Sequence, residues 1–329
     1  MSAIRKILVP IKALTNRAMP AVLKAAQLAR AHGASLELFH VLTPSMYPAP
    51  LIGSQKTFSA LENESRQDAR RRLEAIADRL RLHTIKVTVS AEWDFPEYEA
   101  IIRRAKIIKA DLIVASQHAG RRRAPWLLRL TDWELVRMSP VPVLLVKNPH
   151  PYRRPSILAA IDPSRAHDKP QTLDRDILRL ANRWSTVLKG SLHAVHAYAR
   201  FPVHAPAKAL KADTLDELEK LTERDARKRL TRALRLTRIA RKNQHLIPRS
   251  PVEAISEAAA RSRSAIVVMG AISRTGFKRL LIGDTAEHLL DELNCDVLVV
   301  KPATFRSNVP DAGRPAHPKN LQAIPFGII

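Results

Sequence analysis

The sequence predicts an α/β protein of two tandem doubly wound domains, each with a five-stranded parallel sheet. Residues 264–302 follow the order strand, loop, amphipathic helix, strand, a unit that closes as a right-handed crossover between parallel strands. The pattern recurs in the first half, because Ser116 precedes Pro142 by 26 residues just as Gly270 precedes Asp296 by 26. Five apolar runs alternate with helical segments in each half, which is typical of this fold class.

In the first half, short apolar runs predict five strands, and helical periodicity predicts the helices between them. The strands are Ile7–Ile11, Ser35–Leu42, Ile85–Ala91, Asp111–Ser116 and Val141–Val146. The helices are Ala18–His32, Glu62–Arg81, Glu97–Lys109 and Asp132–Met138. Gly33 has the position of a helix-ending glycine. Three prolines in Thr43–Phe58 predict an irregular loop there.

The second half repeats this order, with strands Ile157–Ile161, Leu192–Ala197, Gln244–Pro248, Ala265–Met269 and Val297–Val300. A long basic helix is expected over Asp216–Arg241, and a capping box at Asp284 to Glu287 predicts where the last helix begins. The domains are therefore placed at 1–150 and 153–302. Residues 303–329 are proline-rich, and we expect this tail to be disordered.

The loop between the last two strands resembles the signature of the universal stress protein family. That signature is Gly, two residues, Gly, nine residues, and then Gly followed by Ser or Thr. The corresponding positions are Gly270, Ser273, Gly283 and Asp284, with Thr285 next, so two of the four match. The resemblance covers residues 4 to about 302 in tandem and is closest to the E-type members with two domains per chain.

This resemblance implies a Rossmann-like fold of the adenine nucleotide alpha hydrolase type and a non-enzymatic role in stress survival, including tolerance of DNA damage. It also implies that the final strands pair within the chain, Val141–Val146 against Val297–Val300; the sequence leaves a homodimer open. We further expect a cytoplasmic protein without a membrane-inserted segment, because no apolar run reaches the roughly 18 residues of a membrane helix.

The resemblance implies a site for ATP or a related nucleotide in the second domain. Family glycines let backbone N–H groups approach phosphates, and an aspartate after the first strand contacts the nucleoside. The tentative ligand residues are Asp162, Gly270, Ser273, Arg274, Gly283, Asp284 and Thr285. One observation opposes ATP: Asp284 would place a carboxylate at a helix N-terminus, where it repels a phosphate.

The first domain departs from the family at every equivalent position: Lys12, Ser116, Ala119, Arg129 and Leu130. We expect no nucleotide there, because side chains replace the glycines that phosphate binding needs. Thr131 to Glu134 has the spacing of a simple helix-capping box. We therefore interpret this half as carrying a degenerate ligand loop.

Positive charge is the second feature of the sequence. The net charge is +24, with +11 in residues 1–152 and +13 in the remainder. Such a surface attracts polyanions, which favours a nucleic-acid-associated protein as a competing hypothesis. Solvated helix faces explain the charge equally well, since no stacking aromatics alternate with the basic runs.

Two other classes of function stay open. The proline-rich, aromatic loops after the second strand of each half would suit a hydrophobic ligand, and family analogy allows a weak nucleotide hydrolase. No catalytic residue is assigned, because His118 has no nucleophile or carboxylate placed with it. No metal site is expected either, since the histidines lack ligand spacing and the single cysteine, Cys295, excludes a thiolate zinc site.

Overall fold

The structure, a computed structural model, describes residues 4–14, 19–43, 55–82, 84–117, 126–164, 171–199, 212–271, 289–290 and 292–312. The strands of the first half are β1 Lys6–Pro10, β2 Ser35–Leu42, β3 Val87–Trp93, β4 Leu112–Ser116 and β5 Val143–Val146. The helices are α1 Pro20–His32, α2 Gln55–Arg81, α3 Glu97–Ile107 and α4 Trp126–Met138.

The second half repeats the alternation. Its strands are β6 Ser156–Ala160, β7 Ser191–Ala197, β8 Gln244–Ile247, β9 Ser264–Gly270 and β10 Asp296–Val300. Its helices are α5 Gln171–Val187, α6 Ala212–Ala233 and α7 Pro251–Arg261. The predicted α/β class and both sets of five strands are confirmed.

All ten strands form one sheet in the order β3-β2-β1-β4-β5-β10-β9-β6-β7-β8. Neighbours within each half are parallel, whereas β5 and β10 are antiparallel, with Leu144 opposite Leu298. This pair joins the halves, as predicted. The two domains therefore share a continuous sheet.

Alternating side chains of the buried strands enter two hydrophobic cores, one on each face of the sheet. In β1, Ile7 and Val9 pack on one face and Leu8 on the other. Helices α1, α2, α5 and α6 cover the first face, and α3, α4 and α7 cover the second. Such sheets bind ligands at the carboxyl ends of their parallel strands.

The largest differences from the predicted helix boundaries are at the end of α6 and at the start of α2. α6 ends at Ala233 and is followed by short 3₁₀ turns at Leu234–Leu236 and Arg241–Asn243, rather than continuing to Arg241. α2 begins at Gln55, inside the segment expected to be an irregular loop. Composition favours a helix through the arginine-rich stretch, but the chain must turn there to enter the edge strand β8.

Asp296, at the start of β10, is fully buried where the two halves meet. One carboxylate oxygen accepts hydrogen bonds from Lys24 Nζ and the Tyr152 hydroxyl, both at 2.5 Å. The other accepts from the backbone N–H groups of Lys147 and Asn148, at 2.9 and 3.0 Å. Asp296 therefore connects domain 2 to α1 and to the linker that follows β5.

Cys295 lies beside this carboxylate. Burial raises the pKa of its thiol to about 11, against the opposing effect of the Lys147 ammonium. The thiol is therefore protonated near neutral pH, and a protonated thiol is a weak nucleophile. This environment fits a packed thiol rather than a reactive one.

The chain after β10 lies against domain 1 up to residue 312. Val309 is buried in the core beneath α3. Lys106 donates to the Val309 carbonyl at 3.2 Å and pairs with Asp311 at 3.0 Å. The expectation of disorder from 303 onward does not describe residues 303–312, because this apolar and charged contact holds them; residues 313–329 lie outside the described part.

The buried ion pair between Lys24 and Asp296 predicts a specific pattern in a double-mutant cycle. Asp296→Asn keeps an oxygen for the backbone N–H groups but leaves the Lys24 ammonium unpaired, so we expect the free energy of unfolding to fall by about 3–5 kcal/mol. Adding Lys24→Met removes the stranded charge and recovers most of this loss. Urea unfolding measures both, and equal destabilisation of the single and double variants would contradict the pairing.

The raised pKa of Cys295 predicts slow reaction with a thiol reagent. At pH 8 a thiol of pKa near 11 is about one-thousandth thiolate, whereas an unperturbed cysteine is about one-quarter thiolate. Labelling with a chromogenic disulfide should therefore be about 100-fold slower in the folded protein than in urea. Similar rates in the two states would show that the thiol is not shielded.

Candidate functional site

In domain 2 the carboxyl ends of β6 and β9 lie side by side, at the edge where a parallel sheet binds its ligands. Asp162 follows β6 at this edge. Its carboxylate accepts hydrogen bonds from the hydroxyl of Ser164 and from the backbone N–H of Ser164, the latter at 3.2 Å. The side chain is 34% exposed, so part of the carboxylate faces solvent and is available to a hydroxyl donor.

Two further groups define the electrostatics around Asp162. His196 of β7 is almost fully buried, with Nδ1 at 4.0 Å from the Asp162 carboxylate. Burial lowers the pKa of His196, and the Asp162 carboxylate opposes this less strongly, so the ring is neutral at pH 7. Asp174 of α5 accepts from the backbone N–H of Asp162 at 3.1 Å. Two carboxylates and a neutral ring suit a sugar hydroxyl better than a phosphate.

Gly270 ends β9 next to this site, and its role differs in part from the expectation. A Cβ atom at Gly270 would lie 2.7 Å from Leu173 Cδ2 and 3.1 Å from Ile177 Cδ1 of α5. Gly33 is the only glycine of the described residues with a positive φ. Gly270 is therefore required by the close approach of α5 to the sheet, a reason that the signature alone does not reveal.

The equivalent edge of domain 1 is occupied by an ion pair. Lys12, at the position of Asp162, donates to the Asp132 carboxylate of α4 at 2.6 Å. Asp132 is only 4% exposed. The pair joins the end of β1 to α4, so the positive charge of Lys12 is neutralised within the protein.

The helix-capping interpretation of Thr131 to Glu134 is wrong. α4 begins at Trp126, so Thr131 and Asp132 lie inside the helix and not at its N-cap. Arg129 and Leu130 are also within α4, and Ser116 ends β4. The sequence from Thr131 to Glu134 is compatible both with a capping box and with a helix interior in which Asp132 pairs with a distant residue. The fold shows that Asp132 pairs with Lys12.

Several predicted site residues lie outside the described part of the chain. They are Ser273, Arg274, Gly283, Asp284 and Thr285 in domain 2, and Ala119 in domain 1. Most of both proline-rich loops, and His118, also fall outside it. Among the predicted residues, the structure brings Asp162 and Gly270 to the same edge of the sheet.

The sequence alone predicts no functional role for Asp132, Asp174 or His196 at these two edges. His40, the domain 1 equivalent of His196, contacts the Ile11 carbonyl through Nδ1 at 2.6 Å. Asp132 could have been found from the sequence. Lys12 stands where the family has an aspartate, and a partly buried lysine needs a carboxylate nearby.

The described residues lack a membrane-spanning helix and a cluster of metal ligands. No helix there is both long enough and apolar enough to span a bilayer. Within the same residues, no group of three or more His, Cys, Asp and Glu side chains is arranged to hold a metal ion.

Comparison with known families agrees with the two-domain architecture. The profile of the universal stress protein family matches residues 3–147 and 155–301. This chain belongs to the universal stress protein family. Each match coincides with one half of the ten-stranded sheet, so the protein is a tandem member.

Individual relatives point to the E-type members of the family. Universal stress protein E of Salmonella typhi is 29% identical over 237 residues, covering 68% of this chain and 71% of that protein. Universal stress protein E of Escherichia coli K12 is 28% identical over the same shares. The chain is thus similar to universal stress protein E over about two thirds of its length.

Solved structures share the fold over nearly the whole chain. A protein of unknown function from Pseudomonas aeruginosa PAO1 aligns with a TM-score of 0.69 and 24% identity, covering 92% of this chain and 94% of its own. A universal stress protein from Archaeoglobus fulgidus aligns with a TM-score of 0.60 and 16% identity, covering 92% and 97%. The tandem arrangement of two doubly wound halves is therefore shared with these proteins.

The close approach of α5 predicts the effect of adding one methyl group. Gly270→Ala should lower the free energy of unfolding by about 1–3 kcal/mol, because the new Cβ overlaps Leu173. Adding Leu173→Ala should make the Gly270→Ala step cost less than it does with Leu173 present. Urea unfolding of the four proteins measures this coupling, and purely additive effects would contradict the contact.

Proposed function

We propose that this universal stress protein acts without catalysis and holds one small ligand, a nucleotide or a related nucleoside, in domain 2 alone. Membership of the family supports a role in the stress response. The assignment of the ligand to one domain rests on this chain's own residues. Domain 1 would serve as a structural partner that completes the shared sheet.

The observation that carries the proposal is the contrast between Lys12 and Asp162. Lys12 is neutralised by Asp132 within domain 1, and a ligand would have to displace this pair and strand a buried carboxylate. Asp162 forms no such pair with a Lys or Arg side chain of the described residues, and its carboxylate is partly exposed. Displacing a buried pair is costly, whereas binding at Asp162 requires only the removal of water.

The chemistry at Asp162 supports a ribose-like group there. An exposed carboxylate oxygen accepts hydrogen bonds from a pair of hydroxyls, as an acidic residue in dinucleotide sites does. The phosphates would extend away from Asp162 and Asp174, because two carboxylates repel them.

A non-catalytic role is supported by membership of the family. At the Asp162 edge the Ser164 hydroxyl donates to the Asp162 carboxylate, and no hydrogen bond joins Ser164 to His196 within the described residues. A serine, an imidazole base and an orienting carboxylate are therefore not connected in that order there.

A stoichiometry measurement tests the proposal. The natively purified protein is denatured, and mass spectrometry identifies the small molecules released; ATP is then titrated into ligand-free protein by calorimetry. We expect one nucleotide per chain and no turnover. Asp162→Asn should raise Kd about tenfold, because a hydrogen bond to a charged group is replaced by a neutral one.

The matched control is Lys12→Met with Asp132→Asn, which removes the domain 1 pair without leaving a buried charge. This double variant should keep Kd within about twofold of the parent. Two nucleotides per chain, or a Kd that responds to the control and not to Asp162→Asn, would overturn the assignment to domain 2. A chain that neither releases nor binds a nucleotide would overturn the ligand class.

A further inference from the structure

The segment from Ala226 to Val252 carries nine lysines and arginines and no aspartate or glutamate. It includes the last two turns of α6, both 3₁₀ turns and the edge strand β8. A run of one sign over this length produces a positive potential, because no carboxylate within it cancels the charge. The net charge of the whole chain does not show where along the sequence the positive charges are clustered.

The cations on α6 form a stripe that points away from the sheet. Arg224, Lys228 and Arg232 recur every four residues and are exposed, so they lie on one face and advance about 6 Å from one to the next. The buried residues Ala226 and Leu230 of the same helix are on the opposite face, and Leu234 of the following 3₁₀ turn is also buried. Packing of that apolar face fixes the direction of the charged one.

Three of the cations in this segment form ion pairs, and the others form none within the described part of the chain. Arg227 pairs with Glu223 at 2.8 Å, Arg229 with Asp225 at 2.7 Å, and Arg249 with Glu257 at 3.0 Å. Seven exposed cations have no ion pair among the described residues, and we call them the basic ridge: Arg224, Lys228, Arg232, Arg235, Arg238, Arg241 and Lys242. The ridge follows the β8 edge of the sheet.

The equivalent helix of domain 1 has no such surface. α2 also contains many arginines, but acidic residues alternate with them. Arg71 and Arg72 pair with Asp68, and Arg81 pairs with Glu74 and Asp78. The two halves share a fold, so the ridge is a property of this segment and not of the architecture.

We propose that the basic ridge binds the phosphate backbone of double-stranded nucleic acid without reading its sequence. Arginine and lysine side chains supply backbone contacts and release counterions. Residues 212–250 contain no Phe, Tyr or Trp, so bases of a single strand would find no stacking platform. A duplex, whose phosphates face outward, matches a row of exposed cations better.

The two amide side chains of the segment, which could read adenine edges, are hydrogen-bonded within the protein. Asn243 donates to the Leu192 carbonyl at 3.1 Å, and Gln244 donates to the Ile239 carbonyl at 2.9 Å. A membrane surface fits less well than a duplex. Interfacial helices bury a row of apolar residues, whereas Leu221 is the one large exposed apolar residue among the described side chains of α6.

Fluorescence anisotropy with a labelled 30-base-pair DNA of mixed sequence tests the proposal on the full chain, over a series of salt concentrations. Lys228→Gln, Arg232→Gln and Arg235→Gln together should weaken binding about tenfold or more at 0.1 M salt. The slope of log K against log salt should become shallower by about 2–3, because each lost phosphate contact removes about 0.9. Duplexes of unrelated sequence should bind equally, and a duplex RNA of the same length shows which duplex geometry the ridge prefers.

The matched control removes three exposed positive charges from α2, with Arg66→Gln, Arg70→Gln and Arg79→Gln. Binding by this variant should stay within about threefold of the parent, since those charges lie among carboxylates. The exchange Lys228→Arg, Arg232→Lys and Arg235→Lys keeps the charge and should keep binding, which separates loss of contacts from loss of fold.

Three outcomes would overturn the proposal. Equal weakening by the ridge and α2 variants would assign binding to net charge. If the parent protein shows no salt-dependent binding at 50 mM salt, the ridge does not bind duplex nucleic acid. Binding to vesicles containing anionic phosphatidylserine, without binding to either duplex, would assign the ridge to a membrane surface.

Discussion

The antiparallel contact between β5 and β10 depends on a single buried carboxylate, Asp296. A charge with no exposure to solvent is tolerated only when every lone pair has a donor. Lys24, Tyr152 and two linker N–H groups supply those donors, and all four come from domain 1 or the linker. Domain 2 therefore cannot separate from domain 1 without exposing the apolar edges of both strands and leaving this carboxylate unpaired. The rest of the sheet extends outward from that junction.

Within this shared frame the two halves have different surfaces and different ligand edges. Lys12 and Asp132 close the domain 1 edge with an internal ion pair, whereas Asp162 leaves the domain 2 edge partly exposed. The second helix of domain 1 carries seven lysines and arginines with five acidic residues spread along its length, whereas the segment from Ala226 to Val252 in domain 2 has no acidic residue. Both differences support the proposals that place ligand binding and polyanion binding in domain 2. A division of this kind is expected when one domain mainly supports the other, because its surface is then free of the constraints of binding.

The sequence is informative where structure is decided locally. The predicted bounds of β2 agree with the structure, because five of its eight residues are apolar and the run lies between Gly33 and Pro44, which end regular structure. The end of α6 is missed, because arginine is a good helix former and the turn toward β8 leaves no local trace. The partnership of Lys24 with Asp296 spans 272 positions, and the role of Asp132 depends on Lys12, 120 positions away. Contacts at such separations follow from the register of the sheet and not from spacing.

The joining of both halves into one folding unit is the central claim, and native-state hydrogen exchange tests it most directly. Amide protection in β5 and β10 should give the same free energy of opening, and increasing urea should lower both together, because neither strand retains its partner or its share of the Asp296 site alone. Strands β1 and β6 should join the same global transition. Exchange in β10 at a distinctly lower free energy than in β5 would contradict a single cooperative unit and would show two domains that open independently.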